Sequence, residues 1–132
     1  MGIIRRQVRF GTEDGSTWAS AEAFIDTGAV HCQVSSTVAS QLNARLFRSS
    51  SVSLADGSVQ ERDIVYVLLE IDPSQPRVLT TAAVGNDNAP FLVGAVALEQ
   101  LGLGVDPSTQ KLVPELPVLL QSLNWPTIYI LG

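Results

Sequence analysis

The segment Ala23-Phe24-Ile25-Asp26-Thr27-Gly28-Ala29 ends an apolar run on a carboxylate. A charge at the end of a buried strand costs free energy unless hydrogen bonds compensate for the lost water. Gly28, two residues on, lets the backbone turn sharply enough for its N–H to point at that carboxylate. Thr27 adds a hydroxyl where packing has no use for one. Together these residues describe an acid held rigidly and partly desolvated, the state that general acid–base chemistry needs. The same tripeptide also reads as an ordinary turn, because Asp and Gly are the commonest turn residues. On these seven residues alone both readings stand.

His31 and Cys32 are the lone histidine and lone cysteine of the chain, and they are adjacent. Neighbours on a strand point to opposite faces, so they do not form a nucleophile–base pair. Neither has partners at metal-ligand spacing, and nothing here calls for a metal or another cofactor. The expectation is a small buried cysteine beside a surface or cleft histidine. A single cysteine also excludes an intrachain disulfide framework.

The elements that must position Asp26 read as mostly β. Turn signals fall at Gly11 to Ser16, Asp56-Gly57, Asp72 to Pro76, Gly85 to Pro90 and Asp106 to Ser108. Between them, Ile3 to Phe10, Trp18 to Ile25, Val59 to Ile71 and Val78 to Val84 are rich in β-branched residues and are predicted strands. Val65, Val67 and Leu69 share one face at period two; Tyr66, Leu68 and Glu70 share the other. Two segments read as helix. Ser35 or Ser36 caps one that runs to about Leu42, with Val38 and Leu42 on one face. Ala95 to Leu101 is the other, closed by Gly102. A hairpin of Leu103–Asp106 and Lys111–Pro114 follows, turning through Pro107 to Gln110.

At 132 residues the chain has room for one domain, and with 45% apolar against 16% charged residues it can fill a core. Thirteen acidic and eight basic side chains leave a net charge of −5, which argues against nucleic acid or an anionic membrane surface as partner. Arg5, Arg6 and Arg9 form the one basic cluster and read as the solvated side of the first strand. Met1 to Phe10 holds no signal-peptide core, and no uncharged apolar run reaches the roughly 20 residues of a membrane helix. A soluble, cytoplasmic protein is the expectation.

A second apolar strand, Phe91-Leu92-Val93-Gly94, runs straight into the helix Ala95 to Leu101. Apolar-Asp-Thr-Gly-Ala, then Ala55-Asp56-Gly57 in a hairpin, then apolar-apolar-Gly plus helix, resembles the retropepsin-like aspartic proteases. The likeness runs from about Trp18 to Pro114 and includes Val105-Asp106-Pro107 and Leu112-Val113-Pro114, as in small prokaryotic members. It implies an all-β half-barrel with one short helix after the second motif, working as a C2 homodimer. It also implies a domain over residues 1–114, with residues 115–132 as an apolar extension.

Carried over by position, the resemblance makes Asp26 the catalytic aspartate. Thr27 becomes the residue whose hydroxyl bonds across the dimer axis, Gly28 the amide that supports the carboxylate, and Ala29 the small residue beside substrate. Leu54, Ala55, Asp56 and Gly57 fall in the flap, a hairpin that closes over bound peptide. Leu92, Val93 and Gly94 match the motif that packs beneath the catalytic loop. Such proteases use two facing carboxylates that share one proton around one water. This chain carries one Asp-Thr-Gly, so a symmetry mate must bring the second acid. The implied activity is endopeptidase cleavage of extended polypeptide, with an optimum on the acid side of neutral. The alternative is a peptide-binding dimer that keeps the fold without cleaving.

Two departures bear on the dimer. Ala95 and Val96 stand where viral members place a dimer-stabilising arginine, and Val30 and His31 are unusual after the catalytic loop. The last eighteen residues, Glu115 to Gly132, hold one charge and many apolar side chains. Thr127 to Leu131 is expected to be a strand, either serving the dimer or covering its own core.

Overall fold

The structure, a computed structural model, describes residues 4–114. The predicted extension and its strand at Thr127 to Leu131 lie outside the described residues. Among the described residues, nine strands and two short helices follow in the order β1 (Arg5–Gly11), β2 (Trp18–Ile25), β3 (Cys32–Ser35), α1 (Ser36–Gln41), β4 (Leu46–Ser53), β5 (Val59–Glu70), β6 (Val78–Gly85), β7 (Phe91–Val93), α2 (Ala95–Leu101), β8 (Leu103–Asp106) and β9 (Lys111–Pro114). Seven strands form one sheet in the order β1-β2-β7-β3-β6-β5-β4, and β8-β9 form a separate hairpin. A further pairing of β1 with β5, from Arg9↔Glu70 to Gly11↔Leu68, closes six of the seven into a ring. β4 stays outside that ring, paired with β5 alone.

Period-two patterning explains the core. Val8 and Phe10 of β1, Ala21 and Ala23 of β2, and Val65, Val67 and Leu69 of β5 all point inward and are buried. Phe10 stacks on Phe91 across the interior with ring centroids 6.0 Å apart. Both predicted helices form. Ser35 is the residue that caps α1, its Oγ accepting from the Val38 N–H at 3.1 Å. Asp87 reinforces that end by accepting from the Thr37 N–H at 3.0 Å, and Leu42 at the far end is buried in the core. In α2, Ala97, Leu98 and Leu101 face inward, and Gly102 closes the helix in the left-handed conformation.

Two strands arise that the residue patterns did not announce. β3 has four residues and is held mainly by parallel pairing with β6, Cys32↔Ala82 to Ser35↔Gly85. β4, with three consecutive serines, pairs along the outer half of β5 from Leu46↔Val65 to Ser53↔Val59, with a register shift between Leu46 and Arg48.

The arginine cluster divides. Arg5 and Arg6 are exposed as expected, but Arg9 turns to Glu70, with Nη2 2.7 Å from Oε1. Glu70 is 5% exposed and is also bonded by Arg77 at 3.0 Å, so a buried acid sits between two cations. Those bonds hold its carboxyl below the usual range. Trp18 is flanked by the same two guanidinium groups, 4.5 and 4.7 Å from its ring.

Candidate active site

β2 delivers Asp26, and β7 fixes it. The two strands run parallel, Ala23↔Phe91 to Ile25↔Val93, and the ladder ends where the Asp26 N–H donates to the Val93 carbonyl at 2.9 Å. Past that point the chain turns on itself: the Ala29 N–H donates to the Asp26 carbonyl at 3.2 Å, and the Gly28 N–H donates to Asp26 Oδ1 at 2.9 Å. Oδ2 accepts no hydrogen bond among the described residues. One oxygen is thus oriented by the main chain and the other is free for a ligand, on a residue that is only partly exposed.

The second motif lies directly beneath this loop. A Cβ on Gly94 would come within 2.3 Å of the His31 carbonyl oxygen and 2.8 Å of the Ala29 carbonyl oxygen. Only glycine allows that approach. The first N–H groups of α2 would be orphans in an isolated helix; here Ala95 donates to the Ala29 carbonyl at 2.7 Å and Val96 to the Val30 carbonyl at 3.2 Å. Leu92, Val93 and Gly94 therefore support the acid from below, and the start of α2 ties down its loop.

Asp26 borders two hollows. The first, about 700 Å³, has Gly28, Ala29, His31, Gln33 and Leu92 on one side. The β4–β5 hairpin forms the other side through Arg48, Ser50, Leu54, Ala55 and Arg62. The second, about 820 Å³, is shared by Asp26 and Thr27 with Ile4, Ile25, Leu98, Leu103 and Val105. The hairpin tip is a tight turn in which the Gly57 N–H donates to the Leu54 carbonyl at 2.9 Å. Gly57 has φ +85°, a conformation that favours glycine. Asp56 Oδ1 accepts from the Ser58 N–H and hydroxyl, which lowers its pKa. Of the four predicted flap residues, Leu54 and Ala55 border the cleft, while Asp56 and Gly57 build the turn.

His31, which precedes β3, and Cys32, its first residue, differ in burial although both border the flap-walled hollow. Cys32 is buried, which pushes its thiol up to about 11 and removes it as a nucleophile. His31 borders the cleft and bonds Thr81 Oγ1 through Nδ1 at 2.6 Å. Burial, and then the positive charge of Arg48, holds the imidazole below its ordinary pKa. Arg48 and Arg62 are cleft residues that the motif reading passed over. Arg62 lies on the predicted strand β5 and faces the cleft across from Ser50, whereas Arg48 lies on β4, whose serine run carries no strand signal.

The EIAV protease, solved in complex with the inhibitor HBY-793, aligns with a TM-score of 0.60 at 16% identity, over 80% of this chain and 93% of its own. A retropepsin-like aspartic protease from Rickettsia conorii aligns at 0.51 and 17% identity, over 80% and 83%. The retroviral protease-like domain of Ddi1 from Leishmania major aligns at 0.51 and 12%, over 86% and 90%. The chain has a retropepsin-like fold. No family model and no curated protein matches its sequence. In this retropepsin-like chain the aspartate stands at the mouth of a cleft with a hairpin for one wall. Among the described residues no helix is long and apolar enough to cross a membrane.

Proposed function

We propose that the chain is an aspartic endopeptidase that works as a homodimer, with one Asp26 from each copy facing a shared water. The observation that carries this reading is the setting of Asp26. One carboxylate oxygen is pinned by the Gly28 N–H, the other is unpartnered among the described residues, and the residue borders two hollows rather than one. The flap-walled hollow suits an extended peptide; the second, which includes Thr27, suits the approach of another copy. Thr27 makes no side-chain hydrogen bond within the described chain, which leaves its hydroxyl for a partner across the axis.

In the dimer the two acids hold one proton between them. The ionised member takes a proton from the water, whose oxygen attacks the peptide carbonyl. The protonated member donates to the carbonyl oxygen. Collapse of the tetrahedral adduct returns a proton to the leaving nitrogen and breaks the C–N bond. The β4–β5 hairpin, closing over bound peptide, would exclude bulk water and add main-chain hydrogen bonds to the substrate.

Incubation with an unfolded polypeptide tests the reading. The wild-type chain is expected to cleave it, a hydroxyl-bearing transition-state mimic to block cleavage, and Asp26→Asn to lower the rate by about 10²–10⁴-fold or more. Sedimentation should give a dimer mass. Undiminished cleavage by Asp26→Asn, or full activity in a strict monomer, would sink the proposal. Truncation after Pro114 asks separately whether residues 115–132 serve the dimer, in which case the mass should fall to that of a monomer.

A further inference from the structure

The flap hairpin sorts its charges by face. Along the β4–β5 ladder Arg48 stands opposite Ile64 and Ser50 opposite Arg62, whereas Ser49 stands opposite Asp63 and Ser51 opposite Glu61. Period two therefore puts both arginines on one face and both acids on the other. The acids are tied on the outer face, where Ser49 Oγ donates to Asp63 Oδ1 at 2.9 Å and Ser51 Oγ to Glu61 Oε1. Arg48 and Arg62 border the cleft, and Glu61 and Asp63 do not.

Neither cleft arginine has a carboxylate partner among the described residues, where the ion pairs are formed by Arg9, Arg45 and Arg77. Arg62 is held by neutral oxygens: Nη2 donates to Gln60 Oε1 at 3.1 Å, and Nη1 lies 3.5 Å from both Gln33 Oε1 and the Val84 carbonyl. Those contacts aim the guanidinium without cancelling its charge. Arg48 lies 5.5 Å from the Phe47 ring, and its field reaches His31. With His31 uncharged at neutral pH, the cleft sets two cations against the single Asp26, in a chain whose net charge is −5. Arg62 is half-buried and Arg48 exposed, and a guanidinium that lacks an ionic partner can take a carboxylate through two parallel bonds.

We infer that Arg48 and Arg62 make the cleft selective for polypeptide segments that carry aspartate or glutamate side chains. The inference rests on the reading of the cleft as a peptide groove and adds the class of peptide it takes. In a C2 dimer the arginine pair occurs twice, so acidic residues are favoured on both sides of the bond that is cut.

Matched peptides that differ only in Glu against Gln test this, with binding to the Asp26→Asn chain measured by fluorescence anisotropy so that the result does not depend on hydrolysis. The Glu peptide should bind about tenfold or more tightly at low salt, and the advantage should shrink in about 0.5 M salt. In Arg48→Gln/Arg62→Gln the Glu-to-Gln ratio should fall toward one, and Arg48→Lys/Arg62→Lys should restore part of it. Equal binding of the two peptides, no binding of either, or a ratio that survives Arg48→Gln/Arg62→Gln would overturn the inference. If the ratio behaves as described but the wild-type chain cleaves nothing, the proteolytic reading fails and the selectivity stands.

Discussion

β5 belongs to two regions with opposite construction. From Ile64 to Glu70 it is a core strand: Ile64, Val65, Val67, Leu69 and Glu70 are buried, β6 lies on one side, and β4 and then β1 lie on the other. From Val59 to Asp63 it has no buried residue and pairs with β4 alone. The inner half helps close the ring that holds Asp26; the outer half is one leg of a two-stranded ribbon over the cleft. Two-stranded ribbons are marginal by themselves in water. One continuous strand therefore helps close the ring whose strands β2 and β7 carry Asp26, and also supplies a compliant wall. The comparison predicts that changes near Asp26 act on the whole fold, and that changes in the ribbon act on ligand and leave stability alone.

The largest effect should come from Gly94→Val. Its side chain would have to enter space held by the His31 and Ala29 carbonyls, which are backbone and cannot swing away. A loss of about 3 kcal/mol or more is expected in urea unfolding, or no folded protein at all. A variant of ordinary stability would mean that the loop and the second motif are not packed as described.

Acid titration is the next test. Glu70 has its pKa lowered by Arg9 and Arg77, so the stabilisation it brings is complete above its unfolded value of 4.5 and is lost as pH falls through the lower folded value. Thermal unfolding followed downward from pH 5 should show the wild type losing midpoint temperature faster than Glu70→Gln. Parallel curves would remove Glu70 from the account.

Ser35→Ala, which deletes the α1 cap, should cost about 1 kcal/mol. Smallest in stability is Gly57→Ala at the ribbon tip. Its φ of +85° strains any other residue, but the strain is relieved by local opening of the hairpin, so the global unfolding free energy should change by less than about 0.5 kcal/mol. Peptide cleavage should nonetheless drop several-fold, because closure of the flap is impaired. The reverse pattern, lost stability with intact cleavage, would break the division between the two regions.

What was legible in the residues follows the same division. Ile25-Asp26-Thr27, Val93-Gly94 and the β5 alternation declare themselves because burial imposes a strict period and the close approach at Gly94 demands glycine. Ser35 capping and Gly102 closure are local rules and hold locally. β4 did not declare itself: Ser49, Ser50 and Ser51 carry no strand preference, and they become strand because β5 supplies the ladder and Asp63 and Glu61 supply partners for the hydroxyls. The burial of Glu70 was hidden for a related reason, since its two arginines lie 61 and 7 residues away.

That first separation bears on how the molecule assembles. The β4–β5 and β5–β6 hairpins connect segments close in sequence and can zip soon after collapse, whereas joining Arg9 to Glu70 must constrain a loop of some sixty residues. Such long-range pairing places acquisition of the native state on the millisecond-to-second scale typical of high contact order. The grip on Asp26 needs a contact of similar span, because its N–H bonds the Val93 carbonyl, so the acid is positioned by pairings that are as costly in chain entropy as the ring itself.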